Sequence, residues 1–227
     1  AVLLRFFLPF DVTGRPALLP VFLVIAIVTM LAGSLLALLQ TNLKRLLAYS
    51  SIANLGYLLV AFMATGASAI TAAIFFLVSY FVTILAAFGV VTALSSRSRD
   101  ADMLDDYYGL MWRHPWLAAV LAVSMFSLAG IPLTVGFLGK FYVILASIGS
   151  SQWLLAVVLV ISSAIGLFYY LRVVVALFSP AEQATRPPAV VAQSGTLPSG
   201  QMSASSAQPI AAYSTAGWVA LAALLVL

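Results

Sequence analysis

Five long apolar stretches, each about long enough to cross a bilayer, decide what this chain can fold into. They occupy residues 17–39, 46–64, 69–94, 116–148 and 153–178. A spanning helix needs about 20 apolar residues, and at membrane depth every backbone N–H and C=O must find a partner within the protein. The strict apolar–polar alternation of barrel strands is absent. The sequence therefore predicts an all-α, polytopic transmembrane helix bundle.

The composition excludes soluble classes of protein. Hydrophobic residues make up 64% of the chain and charged residues 7%, and the mean hydropathy is +1.15. Soluble domains are about half apolar and a quarter charged, so we set aside a soluble enzyme and a nucleic-acid binder. The alternate loops at 40–45, 95–115 and 179–214 carry six basic residues, which places them on the cytoplasmic side. These residues are Lys44, Arg45, Arg97, Arg99, Arg113 and Arg186.

The chain has few residues of the kinds that bind metals or redox cofactors. There is no cysteine and one histidine, His114, which lies outside the apolar stretches. This excludes disulfides, thiolate metal sites, iron–sulfur clusters and cysteine nucleophiles. We expect no metal site and no cofactor in this chain.

The ends of the sequence predict part of a longer protein. Residues 1–8 look like the end of a truncated transmembrane helix, and residues 215–227 look like the start of another. Residues 179–214 are rich in Pro, Ser, Ala and Gln, which is typical of a flexible loop. We expect this loop to be cytoplasmic and to follow a helical unit at 17–178.

The fourth apolar stretch contains a predicted helix break next to a lysine. As a continuous helix it would be about 50 Å long against a hydrocarbon core of about 30 Å. Gly130 and Pro132 supply the break, Gly136 and Gly139 follow it, and Lys140 lies eight residues after the proline. Interrupted helices at membrane depth are tolerated where the freed backbone groups face protein or water. This pattern predicts a transport site.

Lys140 is the candidate proton carrier. Burial removes the hydration of the ammonium form, so a lysine at this depth can exchange its proton. All acidic residues lie in loops, so its coupling partner must come from a missing segment or a neighbouring subunit. The acids are Asp11, Asp100, Asp102, Asp105, Asp106 and Glu182.

Polar residues recur at helical spacing within other stretches. Ser50, Asn54 and Tyr57 share one face, as do Ser79 and Thr83. One interpretation is close helix packing through small and hydroxyl side chains, and the other is a path of waters leading to Lys140. Asn54 is the best candidate for the second interpretation because its amide needs both donor and acceptor partners.

The last complete stretch allows the same two interpretations, whereas for Lys44, Arg45 and Arg172 the alternative to anchoring at the membrane surface is a role in the proton path. The last complete stretch aligns Ser162, Gly166 and Tyr169 on one face, with Ser163 and Tyr170 beside them. We expect Lys44 and Arg45 to be interfacial anchors in a polar break at 40–45. Arg172 lies near a span end, and we expect it to reach the headgroups.

Two segments carry a resemblance to a known family. The stretches TNLKRLLAYSSIANLGYLLVAFMA (41–64) and SLAGIPLTVGFLGKFYVILA (127–146) resemble the subunit N family of bacterial NADH-quinone oxidoreductase, respiratory complex I. WRHP (112–115) and SAIGLFYYLRVVVALF (163–178) fit as well. That family belongs to the antiporter-like membrane subunits, which also occur in multisubunit cation/proton antiporters and membrane-bound hydrogenases.

The resemblance implies a function in proton transport. It implies inverted five-helix repeats, each with one interrupted helix, so residues 17–178 would form one repeat and one half-channel, with Lys140 as its proton-carrying lysine. It also implies a multi-pass protein of the bacterial inner membrane, whose partners are other membrane-arm subunits, lipid, protons and water. NADH, FMN, iron–sulfur clusters and quinone would bind to other subunits.

Two alternatives and one departure remain open at this point. The chain could belong to a cation/proton antiporter that uses the same lysine, or to a structural membrane scaffold in which Lys140 only pairs with a neighbour. Many relatives place a histidine where this sequence has Asn54. Asparagine can hold a water but cannot titrate, so a relay that needs protonation there is in doubt.

Overall fold

The computed structural model describes residues 19–64, 67–95 and 101–180, and nearly all of its regular structure is helical. Its helices are α1 (Leu19–Leu38), α2 (Leu43–Met63), α3 (Ala67–Leu94), α4 (Leu110–Arg113), α5 (Pro115–Ala129), α6 (Val135–Gly149) and α7 (Trp153–Phe178). The helices α1, α2, α3 and α7 are long and apolar enough to cross a membrane, and the shorter apolar helices α5 and α6 flank an interruption. The predicted fold class is confirmed. The predictions for 1–8, 181–214 and 215–227 lie outside the described residues.

The start of α2 differs from the sequence prediction. Asn42 caps the helix, because its side-chain oxygen accepts a hydrogen bond from the Arg45 backbone N–H at 3.0 Å. Lys44 and Arg45 therefore lie in the first helical turn rather than in a polar break. The predicted break at 40–45 is too long, because a hydropathy pattern does not show where a capping side chain starts a helix. The bounds of α7, in contrast, are those that hydropathy predicted.

The buried side chains form two large apolar clusters with polar groups between them, and a small third cluster of Ala64, Ala69, Ala72 and Ala146. The loop-side core, next to residues 101–114, includes Ala37, Leu43, Leu47, Val90, Leu121 and Val173. The far-side core includes Met30, Val60, Phe76, Val143, Leu155 and Leu159. Between the two cores, on each long helix, lie buried polar side chains that we call the polar layer. These are Ser34, Ser50, Asn54, Ser79, Thr83 and Ser162.

The segment 101–114 is folded against the loop-side end of the bundle. A 3₁₀ turn at Leu104–Tyr107 precedes α4, and the Tyr107 ring is fully buried in the loop-side core. Its backbone pairs with the α1–α2 turn, since Leu43 donates to Asp102 O at 2.7 Å and Leu104 donates to Thr41 O at 3.0 Å. This end of the bundle is therefore closed by ordered chain.

Charged side chains reinforce this closed end. Lys44 pairs with Asp102 at 2.5 Å, and the hydrogen bond from Lys44 holds the pKa of the Asp102 carboxyl below its ordinary value. Arg172 donates to the backbone oxygens of Leu38, at 3.3 Å, and Gln40. Arg172 therefore binds the free carbonyls at the end of α1, and its expected reach to the headgroups stays a prediction.

Candidate functional site

The interruption between α5 and α6 ends one helix with a left-handed glycine and starts the next with a threonine cap. Gly130 has φ +79°, a conformation that favours glycine. The N–H groups of Gly130 and Ile131 both donate to Phe126 O at 3.1 Å. The Thr134 hydroxyl then accepts from the Phe137 N–H at 3.3 Å and opens α6. The predicted helix break is therefore present, at residues 130–134.

Pro132 determines which carbonyl at the end of α5 stays free. In a continuous helix, the N–H of residue 132 would donate to the carbonyl of Leu128, four residues earlier. Proline has no N–H, so the Leu128 carbonyl has no helical partner. The Ala129 carbonyl is in a similar position, because the helix ends before residue 133 can reach it. Two backbone acceptors are thus exposed at the negative end of the α5 dipole.

Lys140 occupies these two acceptors. Its side chain is 6% exposed, and Nζ donates to Leu128 O at 2.7 Å, Ala129 O at 3.2 Å and Ser163 Oγ at 3.1 Å. An ammonium group has three hydrogens, so each can be matched to one acceptor. The lysine caps α5 in the same way that a basic side chain caps any helix C-terminus. The interruption and the lysine therefore form one structural unit.

Three glycines bring the helices close enough for this contact. A Cβ atom at Gly136 would lie 1.9 Å from the Ser127 carbonyl oxygen, and its N–H donates to Ser127 Oγ at 3.2 Å. A Cβ at Gly139 would lie 3.1 Å from Ser79 Oγ, and one at Gly130 would lie 3.2 Å from Lys140 Nζ. These glycines seat α6 against α3 and α5, and they leave room for the lysine side chain.

Lys140 lies between two spaces of different size. One is an internal cavity of ≈ 10 Å³, about the smallest volume that admits a single water. It is lined by Lys140 and by polar groups that the sequence singled out: Asn54, Ser79, Thr83 and Gly136. The other is a groove of ≈ 330 Å³ between α6 and α7, whose lining includes Pro132, Lys140 and Ser163. The amine thus contacts space on two sides.

An aromatic ring supplements the hydrogen bonds of the amine. Lys140 Nζ lies 5.4 Å from the centroid of the Tyr57 ring, within the range of a cation–π contact. The Tyr57 hydroxyl is 2.9 Å from Ser162 Oγ, which is 2.7 Å from Ser34 Oγ. This hydroxyl cluster joins α1, α2 and α7.

The other predicted site residues differ in how closely they approach Lys140. The Asn54 amide donates to Ser50 O at 2.8 Å, and Ser79 and Thr83 also bond within their own helix. Thr83 Oγ1 also lies 3.3 Å from Ser127 Oγ. Ser50 donates to Leu47 O and lines neither space beside Lys140. Ser50 therefore lies one turn outside the site.

The sequence did not identify Ser163 as a contact of Lys140, although it allowed this group of residues either a packing role or a water path to the lysine. It noted Ser163 only beside a helix face, because spacing along one helix does not reveal which neighbouring helix a side chain meets.

Within the described part of the chain, the only acidic residues are Asp102, Asp105 and Asp106, which lie at the loop-side end. In those ranges no three His, Cys, Asp or Glu side chains could hold a metal ion. Among the residues that the structure describes, Lys140 Nζ is therefore surrounded by two carbonyls, a hydroxyl and a ring rather than by a carboxylate.

Comparisons with known proteins connect this chain to one family. The family model described as "NADH:quinone oxidoreductase/Mrp antiporter, TM" matches residues 1–166. NADH-quinone oxidoreductase subunit N of Methylococcus capsulatus (strain Bath) is 53% identical over 186 residues, which cover 80% of this chain and 38% of that protein. The chain thus spans less than half the length of this relative.

Two solved structures share the fold. The Mrp complex from Dietzia sp. DQ12-45-1b contains a chain with a TM-score of 0.68 and 30% identity, covering 75% of this chain and 31% of that one. Respiratory complex I from Thermus thermophilus contains a chain with a TM-score of 0.67 and 28% identity, covering 91% of this chain and 43% of that one. The two scores are nearly equal, so the fold alone does not separate the two kinds of complex.

Proposed function

Since the chain belongs to the NADH:quinone oxidoreductase/Mrp antiporter family of membrane subunits, we propose that it forms one proton half-channel of a complex I subunit. In this proposal Lys140 is the group that carries the proton. The 53% identity to a subunit N supports complex I over the other branch of the family. The protein would work in a bacterial inner membrane beside other membrane-arm subunits.

The main support for the proposal is the way the helix interruption holds Lys140. A buried ammonium is costly unless its hydrogens are matched, and here two carbonyls and one hydroxyl lie within 3.2 Å. Loss of the proton leaves two hydrogens for the two carbonyls and a lone pair to which the Ser163 hydroxyl can donate, so the hydrogen bond between Nζ and Ser163 Oγ reverses. Protonation of the amine and the orientation of the Ser163 hydroxyl are therefore coupled.

The polar side chains that line the small cavity, Asn54, Ser79 and Thr83, would bring protons to the amine. The small cavity joins Lys140 to Asn54 and Thr83, and the groove lies on its other side. A proton would be held at Nζ while the two apolar cores above and below the layer exclude continuous water. Release would follow a change in charge nearby, driven by quinone reduction elsewhere in the complex.

We propose that this chain carries no redox cofactor. NADH, FMN, iron–sulfur clusters and quinone would bind to other subunits, because a chain without cysteine has no thiolate to hold a cluster. The role of this chain would be to bind, hold and release protons.

A cation/proton antiporter subunit is the second candidate. The similarity to a chain of the Mrp complex favours it. The two candidates predict different results when the gene is deleted, because only a complex I subunit would be needed for NADH-driven proton translocation. Unchanged NADH-driven translocation after deletion would favour the antiporter.

The proposed role of Lys140 predicts a specific defect in the Lys140→Ala variant. The variant complex, assembled with the full-length protein in proteoliposomes, should oxidise NADH but translocate fewer protons per electron pair, because one carrier is lost. Lys44→Ala is the matched control, since Lys44 lies in the first turn of α2 and pairs with Asp102. The proposal predicts a normal ratio in the control. A wild-type ratio in Lys140→Ala would instead support a structural scaffold.

A further inference from the structure

We infer that Ser163 is the residue through which Lys140 exchanges its proton with the groove. This inference rests on the proposed function, in which Lys140 carries a proton. It adds a specific relay group on α7 and a direction, from the amine towards the space between α6 and α7.

The chemistry of the three acceptors singles out Ser163. The Leu128 and Ala129 oxygens belong to peptide carbonyls, which accept hydrogen bonds but have no hydrogen to pass on. Ser163 Oγ, at 3.1 Å from Nζ, is both an acceptor and a donor. It is therefore the one hydrogen-bonded neighbour of Nζ that can take a hydrogen on one side and release another.

Ser163 lies where its hydroxyl can pass a proton to the groove between α6 and α7. Ser163 is half-buried and lines the groove of ≈ 330 Å³ together with Lys140. Liquid water occupies about 30 Å³ per molecule, so the groove has room for a water next to Ser163 and Lys140, the two polar side chains in its mostly apolar lining. The small cavity on the other side of the amine does not include Ser163 among its lining residues. The hydroxyl thus stands between the lysine and the larger space only.

The exchange can be written as a balanced step. The Nζ–H bond of the ammonium breaks and a new O–H bond forms at Ser163 Oγ. At the same time the original Oγ–H bond breaks, and its proton passes to a water molecule in the groove. Lys140 becomes a neutral amine, Ser163 remains a neutral hydroxyl and the water becomes hydronium. The reverse step reloads the lysine.

The neighbouring serine provides a matched control. Ser162 precedes Ser163 on α7, but it is fully buried and its hydroxyl bonds to Met30 O and to Ser34 and Tyr57 on the opposite face. It contacts neither Lys140 nor the groove. Loss of the Ser162 hydroxyl should therefore affect helix packing without affecting proton exchange.

The test compares Ser163→Thr with Ser163→Val in the full-length protein within its assembled complex. Threonine and valine have nearly the same shape, but only threonine has a hydroxyl, and valine leaves no gap for a replacement water. Proton translocation by proteoliposomes is measured relative to NADH oxidation, in H₂O and in D₂O. Ser163→Ala, Ser162→Ala and Lys140→Ala are measured in parallel.

The inference predicts that Ser163→Val lowers the proton-to-electron ratio to about that of Lys140→Ala, because loss of a positioned proton-transfer group slows the transfer by about 100-fold or more. Ser163→Thr should stay near the wild-type rate with a similar isotope effect, and Ser162→Ala should keep the wild-type proton ratio. If Ser163→Val does not assemble, Ser163→Ala gives the comparison with Ser163→Thr.

Three outcomes would overturn the inference, and they are distinguishable. Equal translocation by the valine, alanine and threonine variants, together with a defect in Lys140→Ala, would remove Ser163 as the relay and leave the proposed function intact. Normal translocation by Lys140→Ala would remove both. A defect in Ser162→Ala as large as that of Ser163→Val would show that the loss of any hydroxyl on α7 has the same effect.

Discussion

The contact between Gly136 and α5 allows a quantitative prediction about the site. In Gly136→Ala the new Cβ would lie 1.9 Å from the Ser127 carbonyl oxygen, whereas real Cβ atoms essentially never approach closer than 3.0 Å. The two helices would have to separate by about 1 Å, and the obstacle is backbone rather than a flexible side chain. Overpacking of this kind costs about 1–3 kcal/mol, and the hydrogen bond from Gly136 N–H to Ser127 Oγ would weaken as well.

Gly89→Ala is the matched control for this prediction. Gly89 lies within α3, and a Cβ there meets nothing within 4 Å. Alanine is the better helix former by about 1 kcal/mol, so Gly89→Ala should be neutral or stabilising. The assay is thermal or denaturant unfolding of the full-length protein in detergent. Equal stability of the two variants would refute the close approach of α6 to α5.

Two further predictions concern the interruption and the closed end of the bundle. Pro132→Ala restores an N–H that can donate to the Leu128 carbonyl in place of Lys140, so the proton-to-electron ratio should fall. The control is Pro115→Ala at the first position of α5, which should leave that ratio unchanged. Equal ratios in the two variants would contradict this prediction. Asp102→Asn removes an ionised partner of Lys44 whose pKa lies below its ordinary value of 3.8 in the folded state. Its destabilising effect on the free energy of unfolding should therefore be present at neutral pH and disappear as the pH falls through that lowered pKa; an effect that grows on acidification would contradict the ion pair.

Much of the fold follows from length and hydropathy. Apolar runs of about 20 residues leave a chain few alternatives to spanning helices, which is why α7 begins and ends where predicted. The break near Gly130 was predictable because a continuous helix over residues 116–148 would be longer than the hydrocarbon core is thick. The start of α2 was not, because the Asn42 cap depends on one side-chain hydrogen bond. The burial of Tyr107 also has no signal in a loop that reads as polar.

The sequence predicted which residues of one segment belong to the candidate site, but not which residues of other helices contact them. Spacing brought Lys140 together with the glycines and Pro132, because they share one interrupted segment. It could not show that α7 supplies Ser163 as an acceptor, or that Arg172 bonds to the end of α1. It also placed Ser50 with Asn54 because both lie on one face, although only Asn54 lines the cavity. Which helices are neighbours is decided by packing.

The protonation state of Lys140 during turnover tests the central claim most directly. Solid-state NMR of lysine labelled with ¹⁵N at Nζ can be recorded on the full-length protein in its complex, at rest and during steady NADH oxidation, with Lys140→Arg used to assign the signal. The account predicts that part of the Lys140 signal moves from the ammonium position to that of a neutral amine during turnover. A signal that stays entirely ammonium under both conditions would contradict the claim that this lysine carries the proton.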